Sequence, residues 1–163
     1  MNTPLQPLLQ VQDLRVRFGD KEVVHGVNFS LSAGEKLALV GESGSGKTVT
    51  ALSLLRLVLN AELSGHAHFD GRDLLALDER ELRGIRGADI AMIFQEPMTA
   101  LNPLFTIGNQ IAEVIELKQG VSRAQAWTAA IELLASTGIP EPQRRAGAYP
   151  HQLSGGQIGR AHV

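Results

Sequence analysis

The chain has no cysteine among its 163 residues. That absence excludes disulfide bonds, thiolate metal sites and thiol catalysis, and it is typical of proteins in a reducing compartment. No apolar run approaches the roughly 20 residues that span a bilayer. Residues Met1 to Gln10 lack the basic region and apolar centre of a signal peptide. We therefore expect a cytoplasmic protein that reaches a membrane only through a partner.

An excess of charge of one sign is also missing, since 15 Lys and Arg residues against 17 Asp and Glu residues give a formal net charge of −2. This balance gives no reason to expect a nucleic acid or an anionic lipid as partner. The content of 44% hydrophobic and 20% charged residues is ordinary for a soluble globular protein. The length allows one domain with a real core.

The most informative stretch is Gly41 to Thr48, which fits the phosphate-binding pattern GxxxxGK[ST]. The apolar run Lys36 to Val40 before it predicts a buried parallel strand. The residues after it, Thr48 to Leu59, predict a helix. Strand, glycine-rich loop and helix in this order form the context in which such a loop binds a nucleoside triphosphate. The alternative is a glycine-rich turn that merely contains a lysine.

The loop's residue types match the chemistry of phosphate binding. Gly41, Gly44 and Gly46 allow backbone conformations and close approaches that a Cβ atom would block. The loop amides and the positive end of the following helix dipole then converge on a phosphate. We predict that Lys47 reaches the β- and γ-phosphates and that the Thr48 hydroxyl binds Mg²⁺.

The segments on either side of the loop predict mainly strands. Alternating apolar residues in Leu9 to Phe18 and in Val23 to Leu31 predict an antiparallel pair with one wet face. Gly65 to Phe69 predicts an edge strand. Its His66 and His68 share one face, which could suggest a metal pair, but two histidines alone do not make a metal site, so we interpret them as surface histidines.

The second half of the chain is mainly helical in pattern. Asp78 and Glu81 form a capping box for a short helix, and Ile90 to Phe94 then predicts a buried strand that ends at Gln95. Two longer helices follow, and we expect their apolar faces to form the core of a helical subdomain. The first has Thr106 as cap, Ile107, Ile111, Val114 and Ile115 on one face, and Gly120 at its end; the second has Ser122 and Gln125 as capping box and a stripe of Trp127, Ile131 and Leu134.

Glu141 to Pro150 reads as a proline-bearing connector, and it leads to the sequence LSGGQ at Leu153 to Gln157. A phosphate loop, a strand ending in glutamine, a helical insert and LSGGQ, in that order, resemble the ATP-binding cassette (ABC) ATPases. The resemblance runs from about Leu9 to Gln157. It implies an α/β P-loop NTPase fold with an N-terminal antiparallel β subdomain and phosphate-loop core (9–95), a helical subdomain (96–157), and a core sheet whose C-terminal part is missing.

One branch of the family is closer than the others. Phe94 to Pro103, Gly41 to Lys47 and Tyr149 to Leu153 look like the ATP-binding subunits of bacterial dipeptide and oligopeptide importers. That branch also serves nickel and glutathione. The resemblance therefore implies coupling of ATP binding and hydrolysis to transport, with peptides as the expected solute. A soluble ABC protein of DNA repair or translation is the alternative that these residues disfavour.

The resemblance also assigns roles to single residues. Phe18 is expected to stack on adenine, and Gln95 is expected to contact Mg²⁺ and the attacking water. The signature residues are expected to cover the γ-phosphate of ATP that is bound to the opposite subunit. The full expectation is Lys47 and Gln95 as catalytic residues; Phe18, Gly41, Ser43, Gly44, Ser45, Gly46, Lys47, Thr48 and Thr50 as nucleotide-binding residues; Thr48 and Gln95 at Mg²⁺; and Leu153, Ser154, Gly155, Gly156 and Gln157 as the signature.

The expected partners are a second ABC ATP-binding subunit, identical or not, and inner-membrane permease subunits, on the cytoplasmic face of that membrane. The segment Glu96 to Ile107 is expected to receive a cytoplasmic helix of the permease. A Ser-Gly-Gly turn at a helix start is an anion site in its own right, because it presents a hydroxyl and backbone amides. Two such turns that face two phosphate loops would make a head-to-tail dimer joined by ATP.

The sequence departs from the family pattern after Gln157, where it continues as Ile158 to Val163. The family places a strand ending in Asp-Glu and a later histidine beyond this point. We therefore expect residues 1–163 by themselves to bind nucleotide without hydrolysing it, as a non-catalytic fragment. We also expect marginal stability, because the predicted strand Leu37 to Val40 would lack the neighbouring strands of the family sheet.

Overall fold

The computed structural model describes residues 7–94, 101–154 and 156. The chain divides into two compact units, Met1–Arg86 and Gly87–Val163. The first unit holds a sheet, the glycine-rich loop and two short helices, and the second holds the longer helices. Among the described residues, none of the helices is long and apolar enough to cross a membrane.

The sheet of the first unit has four strands, and each neighbouring pair is antiparallel. The strands are β1 (Leu9–Phe18), β2 (Lys21–Leu31), β3 (Glu62–Phe69) and β4 (Arg72–Asp73), and their order is β2-β1-β3-β4. The predicted hairpin of β1 and β2 is confirmed. The prediction of an edge strand at residues 65–69 is wrong in two respects, since β3 begins at Glu62 and pairs with β4 on its outer side.

A bulge at Asp13 explains an irregular apolar spacing in β1. Val11 and Leu14 are separated by three positions, yet both are buried together with Val16. Between Val11 and Leu14 the partner on β2 advances only from Phe29 to Val27. One extra residue in β1 therefore returns Leu14 to the same face as Val11, and Asp13 takes a φ of 48° at that point.

The helices of the first unit are α1 (Lys47–Leu54) and α2 (Glu79–Ile85). The predicted capping box of α2 is confirmed, with Asp78 Oδ1 accepting from the Glu81 N–H at 2.8 Å. The prediction of a helix from Thr48 to Leu59 is too long. The chain tightens into shorter-range bonds at the end of α1, and Arg56 adopts a left-handed φ of 50° that an α-helix cannot continue.

Two predicted strands are not formed. Residues 36–40 and 90–94 are irregular, and Val40 and Ile93 are 89% and 69% exposed. Apolar composition favours a strand only when a neighbouring strand accepts its backbone hydrogen bonds and covers its faces. Within the described residues, neither segment has such a ladder; Ile90 has a single bridge, its carbonyl accepting from the Gly87 N–H at 2.8 Å.

The helices of the second unit are α3 (Ile107–Gln119), α4 (Arg123–Ser136) and α5 (Pro142–Ala146), followed by a 3₁₀ turn at Pro150–Gln152. The cap at Thr106, the capping box at Ser122 and the left-handed end at Gly120 are confirmed. The prediction that Val114 faces the core is wrong, because Val114 is 54% exposed. The connector before the 3₁₀ turn is also more ordered than predicted, since it contains α5.

Small residues bring α3 and α4 together. Ala112, Ala126 and Ala130 are all fully buried, and the predicted stripe residue Trp127 is only partly buried. A second cluster joins the start of α3 to the segment that leads to the signature. Its buried members are Ile107, Leu134, Ile139, Ala146 and Leu153.

Candidate nucleotide-binding site

The glycine-rich loop closes around the side chain of Lys47. The Lys47 Nζ donates to the carbonyl oxygens of Gly41 and Glu42 at 2.7 and 2.6 Å, and it lies 3.2 Å from Ser45 Oγ. These bonds curl residues 41–47 around the ammonium group at the start of α1. The predicted cation is therefore already held inside the predicted loop.

Two glycines lie where this loop has little room for a side chain. A Cβ atom on Gly41 would lie 2.7 Å from Ser45 Oγ, so a side chain there would displace the Ser45 hydroxyl within the loop. Gly46 has a φ of 88°, and a Cβ there would lie 3.0 Å from the carbonyl oxygen of Val23 in β2. At Gly46 the loop is thus seated directly on the hairpin, and a larger residue there would push it away.

The start of α1 is suited to an anion. Its N-cap, Gly46, has no side chain to accept hydrogen bonds from the first-turn amides, and the first turn contains no acidic residue. The first four amides of a helix have no partner within the helix, and the helix dipole adds positive potential there. The residues present therefore fit a phosphate group.

The other predicted loop residues differ in exposure. Ser43, Ser45 and Thr48 are exposed at the loop and at the start of α1. Thr50 is 3% exposed, and its hydroxyl donates to the Gly46 carbonyl at 2.9 Å. The hydroxyl of Thr50 thus fastens the end of the loop to α1. Phe18 is partly buried at the end of β1.

Two arginines hold the opposite end of α1. Arg86 Nε donates to the Leu55 carbonyl at 2.9 Å, and Arg56 Nη1 donates to the Leu77 carbonyl at 2.5 Å. Glu79 of α2 pairs with both guanidinium groups, at 2.5 Å from Arg86 and 3.6 Å from Arg56. Sequence reasoning missed this network, because the bonds of Arg56 to Leu77 and of Arg86 to Leu55 join residues 21 and 31 positions apart, and no local pattern marks them.

The described part of the signature lies in the second unit. Leu153 is 6% exposed in the cluster with Ile107 and Leu134, and Ser154, which follows it, is exposed. Gly156 is exposed and has open space where a Cβ would lie. Gly155 and Gln157 lie outside the described residues, as does Gln95, so the structure describes neither the complete turn nor the predicted Mg²⁺ and water contact.

Sequence reasoning also missed the order in the loop before α3. The side-chain amide of Gln110 accepts from the Asn102 N–H at 2.9 Å and donates to the carbonyls of Asn102 and Phe105 at 2.9 and 3.0 Å. Leu104 and Phe105 are held outward, 78% and 54% exposed. No signal short of the structure distinguishes Gln110 from an ordinary exposed helix residue.

His66 is exposed and His68 is partly buried on β3. His66 Nδ1 lies 2.7 Å from Asp73 Oδ2, and the rings of His66 and His68 are 5.7 Å apart. Across the described ranges there is no group of three or more His, Cys, Asp or Glu side chains that could hold a metal ion.

Comparison with known protein families shows which family this chain belongs to. A family model described as "ABC transporter" matches residues 24–163. The chain belongs to the ABC transporter family. The predicted family and the predicted P-loop NTPase fold class are thereby confirmed.

Individual relatives agree with the family. The chain is 52% identical to the peptidoglycan transport ATP-binding protein YejF of Agrobacterium fabrum, over 99% of this chain and 31% of YejF. It is 46% identical to the oligopeptide transport ATP-binding protein OppD of Salmonella typhimurium, over 98% of this chain and 49% of OppD. The chain thus spans half or less of the length of these relatives.

A solved structure shows the same fold. A dimeric ATP-binding cassette in a post-hydrolysis state, bound to ADP and Pi, superposes with a TM-score of 0.75 at 26% identity, over 94% of this chain and 68% of that chain. The likeness shows that the described fold is that of an ATP-binding cassette.

Proposed function

We propose that this chain is the ATP-binding part of an ABC importer subunit that couples ATP binding and hydrolysis to the transport of peptides. The observation that carries the proposal is the closed loop around Lys47 at the uncapped start of α1. Relatives whose names include peptide and oligopeptide transport support the solute class. Its place is then the cytoplasmic face of the membrane, held there by permease subunits.

The proposed division of labour between residues follows from their positions. The loop amides and Lys47 grip the phosphates, and Thr48 contributes a hydroxyl to Mg²⁺. Phe18 stacks on adenine, and Gln95 orients the water and the metal. Ser154 and the glycines after it cover the γ-phosphate of a nucleotide bound to a second subunit, since an exposed hydroxyl followed by glycines presents donors to an anion.

Residues 1–163 alone are proposed to bind ATP without turning it over. The carboxylates that the family uses to hold Mg²⁺ and to polarise the attacking water are not among these residues. Phosphoryl transfer depends on positioning the nucleophile and on stabilising the developing charge, so this lack affects the chemistry more than the grip on phosphate. A phosphate-release assay on the purified chain would show no turnover above background.

The proposed docking of a permease rests on the loop that Gln110 holds. Leu104 and Phe105 form an exposed apolar pair on an ordered turn, which suits contact with an apolar face of a partner helix. Co-purification separates this role from the soluble alternative. The proposal expects a membrane permease in the co-purified material, and ribosomes or DNA in its place would favour the soluble ABC class.

The pairing of two subunits is testable with purified protein. Sedimentation in the presence of excess Mg–ATP would reveal a dimer that disappears without nucleotide. Ser154→Ala would weaken that dimer, whereas the control Ser136→Ala, at the end of α4, would not. A chain that binds ATP but never pairs, or a Ser154→Ala variant that pairs normally, would contradict the proposed role of the signature.

A further inference from the structure

The position of Ser154 depends on a close approach of helices that no motif marks. The N–H of Ile107, at the start of α3, donates to the carbonyl of Ala148 at 2.9 Å. Leu153, next to Ser154, is buried against the same start of α3. The segment Ala148 to Leu153 is thus fixed at both ends to one turn of α3.

Gly108 is the residue that permits this approach. A Cβ atom on Gly108 would lie 2.8 Å from the carbonyl oxygen of Ala146 and 2.8 Å from two ring carbons of Trp127. Real Cβ contacts below 3.0 Å essentially do not occur, and neither a backbone carbonyl nor an indole ring packed between helices moves easily. At residue 108 the backbone of α3 therefore comes so close to Ala146 and Trp127 that no side chain fits between them.

We infer that Gly108 and Trp127 are positioning residues for Ser154. They hold the segment before Ser154 in the place from which Ser154 contacts a nucleotide bound to a second subunit. This inference rests on the proposed function, because it needs Ser154 to act in ATP-dependent pairing. Both residues belong to the second unit, whereas the phosphate loop belongs to the first. The role is confined to the second unit and to pairing.

The physical argument is one of displacement. A methyl group on Gly108 moves Ala146 and the bonded segment behind it away from α3. Sub-ångström errors of placement are amplified at sites that depend on aligned donors, and a misplacement of about 1 Å costs up to roughly a hundredfold. We expect the grip on the phosphates by the loop at residues 41–48 to be unchanged, since that loop belongs to the first unit and α3 to the second.

The chain supplies a matched control at Gly147. A Cβ on Gly147 would lie 3.6 Å from the Arg144 carbonyl, an ordinary contact, and its φ of −80° suits any residue. Gly147→Ala adds the same methyl group next to Ala146, in the segment that faces Gly108, without a collision. It controls for added bulk at this contact, whereas a loss in Gly108→Ala reflects the clash, since alanine is otherwise favoured over glycine inside a helix.

The sequence also allows the displacement to be measured by fluorescence quenching. Trp127 is the single tryptophan and the chain has no cysteine, so His151→Cys can carry a bimane label at a defined site. Tyr149, the single tyrosine, stacks on position 151 and would quench the label too, so all variants carry Tyr149→Phe, which leaves Trp127 as the quencher. His151 is exposed in the 3₁₀ turn before Ser154. Quenching of the label by Trp127 reports how the signature segment sits against α4 without nucleotide and without a second subunit.

The experiment measures three quantities in each variant: quenching of the label, ATP-dependent pairing and ATP affinity. We expect Gly108→Ala to change the quenching and to weaken pairing at least tenfold while ATP affinity of the single chain stays as in the parent. Gly147→Ala should match the parent in all three measurements. Unchanged quenching in folded Gly108→Ala would overturn the inference, as would equal losses in both variants.

Failure of the proposed function would give a different set of results from failure of the positioning role alone. If the parent chain binds ATP but never pairs, the role of Ser154 in pairing is refuted and the inference is refuted with it, whatever the quenching shows. If the parent pairs and Gly108→Ala pairs equally well, only the positioning role is refuted. A circular dichroism melt of each variant confirms that the folded state is being compared.

Discussion

Single backbone positions carry much of the constraint in this molecule, and the bulge in β1 is the clearest instance. Asp13 adopts a left-handed conformation, and glycines from both neighbouring strands make room for it. A Cβ on Gly65 would lie 2.3 Å from the Asp13 carbonyl oxygen, and a Cβ on Gly26 would lie 2.5 Å from Asp13 Oδ1. Arg15 adds an ion pair to Asp13 at 2.9 Å. The bulge is thus accommodated by specific neighbouring residues and is not a random irregularity of pairing.

We predict that Gly65→Ala lowers the free energy of unfolding by about 3 kcal/mol or more, because the methyl group collides with backbone and the φ of 92° is strained. Gly71→Ala is the control, since its φ is 76° but nothing lies within 4 Å of its Cβ. That variant should lose only about 1 kcal/mol from strain. Urea denaturation measures both, and similar losses would show that the bulge does not press on Gly65.

At the scale of single elements, capped helix ends follow from local sequence, whereas the end of α1 at Leu54 did not. The capping boxes at Asp78 and Ser122 and the end at Gly120 were all predictable, because each involves residues three or four positions apart. The strands predicted at residues 36–40 and 90–94 did not form, because a strand depends on neighbouring strands that local sequence does not specify. The bulge left one signal, the three-residue spacing of Val11 and Leu14.

The cap of α4 gives a prediction at this scale. Ser122→Ala should cost about 1 kcal/mol of stability, because the backbone N–H of Gln125 loses the Ser122 hydroxyl as its acceptor. Thr128→Ala on the exposed face of the same helix should be neutral or slightly stabilising, since its hydroxyl only bonds back to the Ala124 carbonyl. Thermal melts of the two variants compare them directly. A larger loss in Thr128→Ala would contradict the assignment of the cap.

The pairing of β3 with β4 depends on the Asp73 carboxylate. Burial opposes ionisation of Asp73, but the hydrogen bond from His66 and those from the Ala67 and Leu75 N–H groups outweigh it and lower the pKa of Asp73. A carboxyl whose pKa is lowered on folding stabilises the protein above its unfolded pKa, and that stability is lost as the pH falls through the folded value.

Asp73→Asn should therefore destabilise the chain by about 1 kcal/mol at neutral pH, because the amide replaces an acceptor of charge-assisted bonds. The difference from the parent should shrink as the pH falls below about 4. Denaturant titrations at a series of pH values measure the two curves. A difference that stays constant down to pH 2 would show that the charge of Asp73 contributes nothing.

At the scale of the whole molecule, the family and fold class were predictable because they rest on motif order, and the phosphate loop forms where the sequence placed it. The arrangement of the sheet was only partly predictable, and the described chain leaves Leu37, Leu39 and Val40 exposed at 49%, 47% and 89%. The contacts of Gly108, Gln110 and Arg86 were not predictable, since they join residues that only the tertiary fold brings together.

This exposure gives a prediction for the whole chain. Val40→Thr should change the free energy of unfolding by less than about 0.5 kcal/mol and reduce self-association, because an exposed apolar side chain becomes polar. Val16→Thr, at a fully buried position, should cost about 2 kcal/mol, because its hydroxyl is buried. Denaturation and light scattering measure the two effects. Equal destabilisation by both changes would mean that Val40 is packed.

The central claim is that residues 41–48 grip a nucleoside triphosphate through Lys47, and equilibrium binding of Mg–ATP to the purified chain tests it most directly. Lys47→Ala should weaken binding by a factor of about 100 or more, because the charge-assisted bonds to phosphate and the bonds that shape the loop are both lost. Lys36→Ala, an exposed lysine before the loop, should bind as the parent does. Unchanged affinity in Lys47→Ala, or an equal loss in both variants, would contradict the claim.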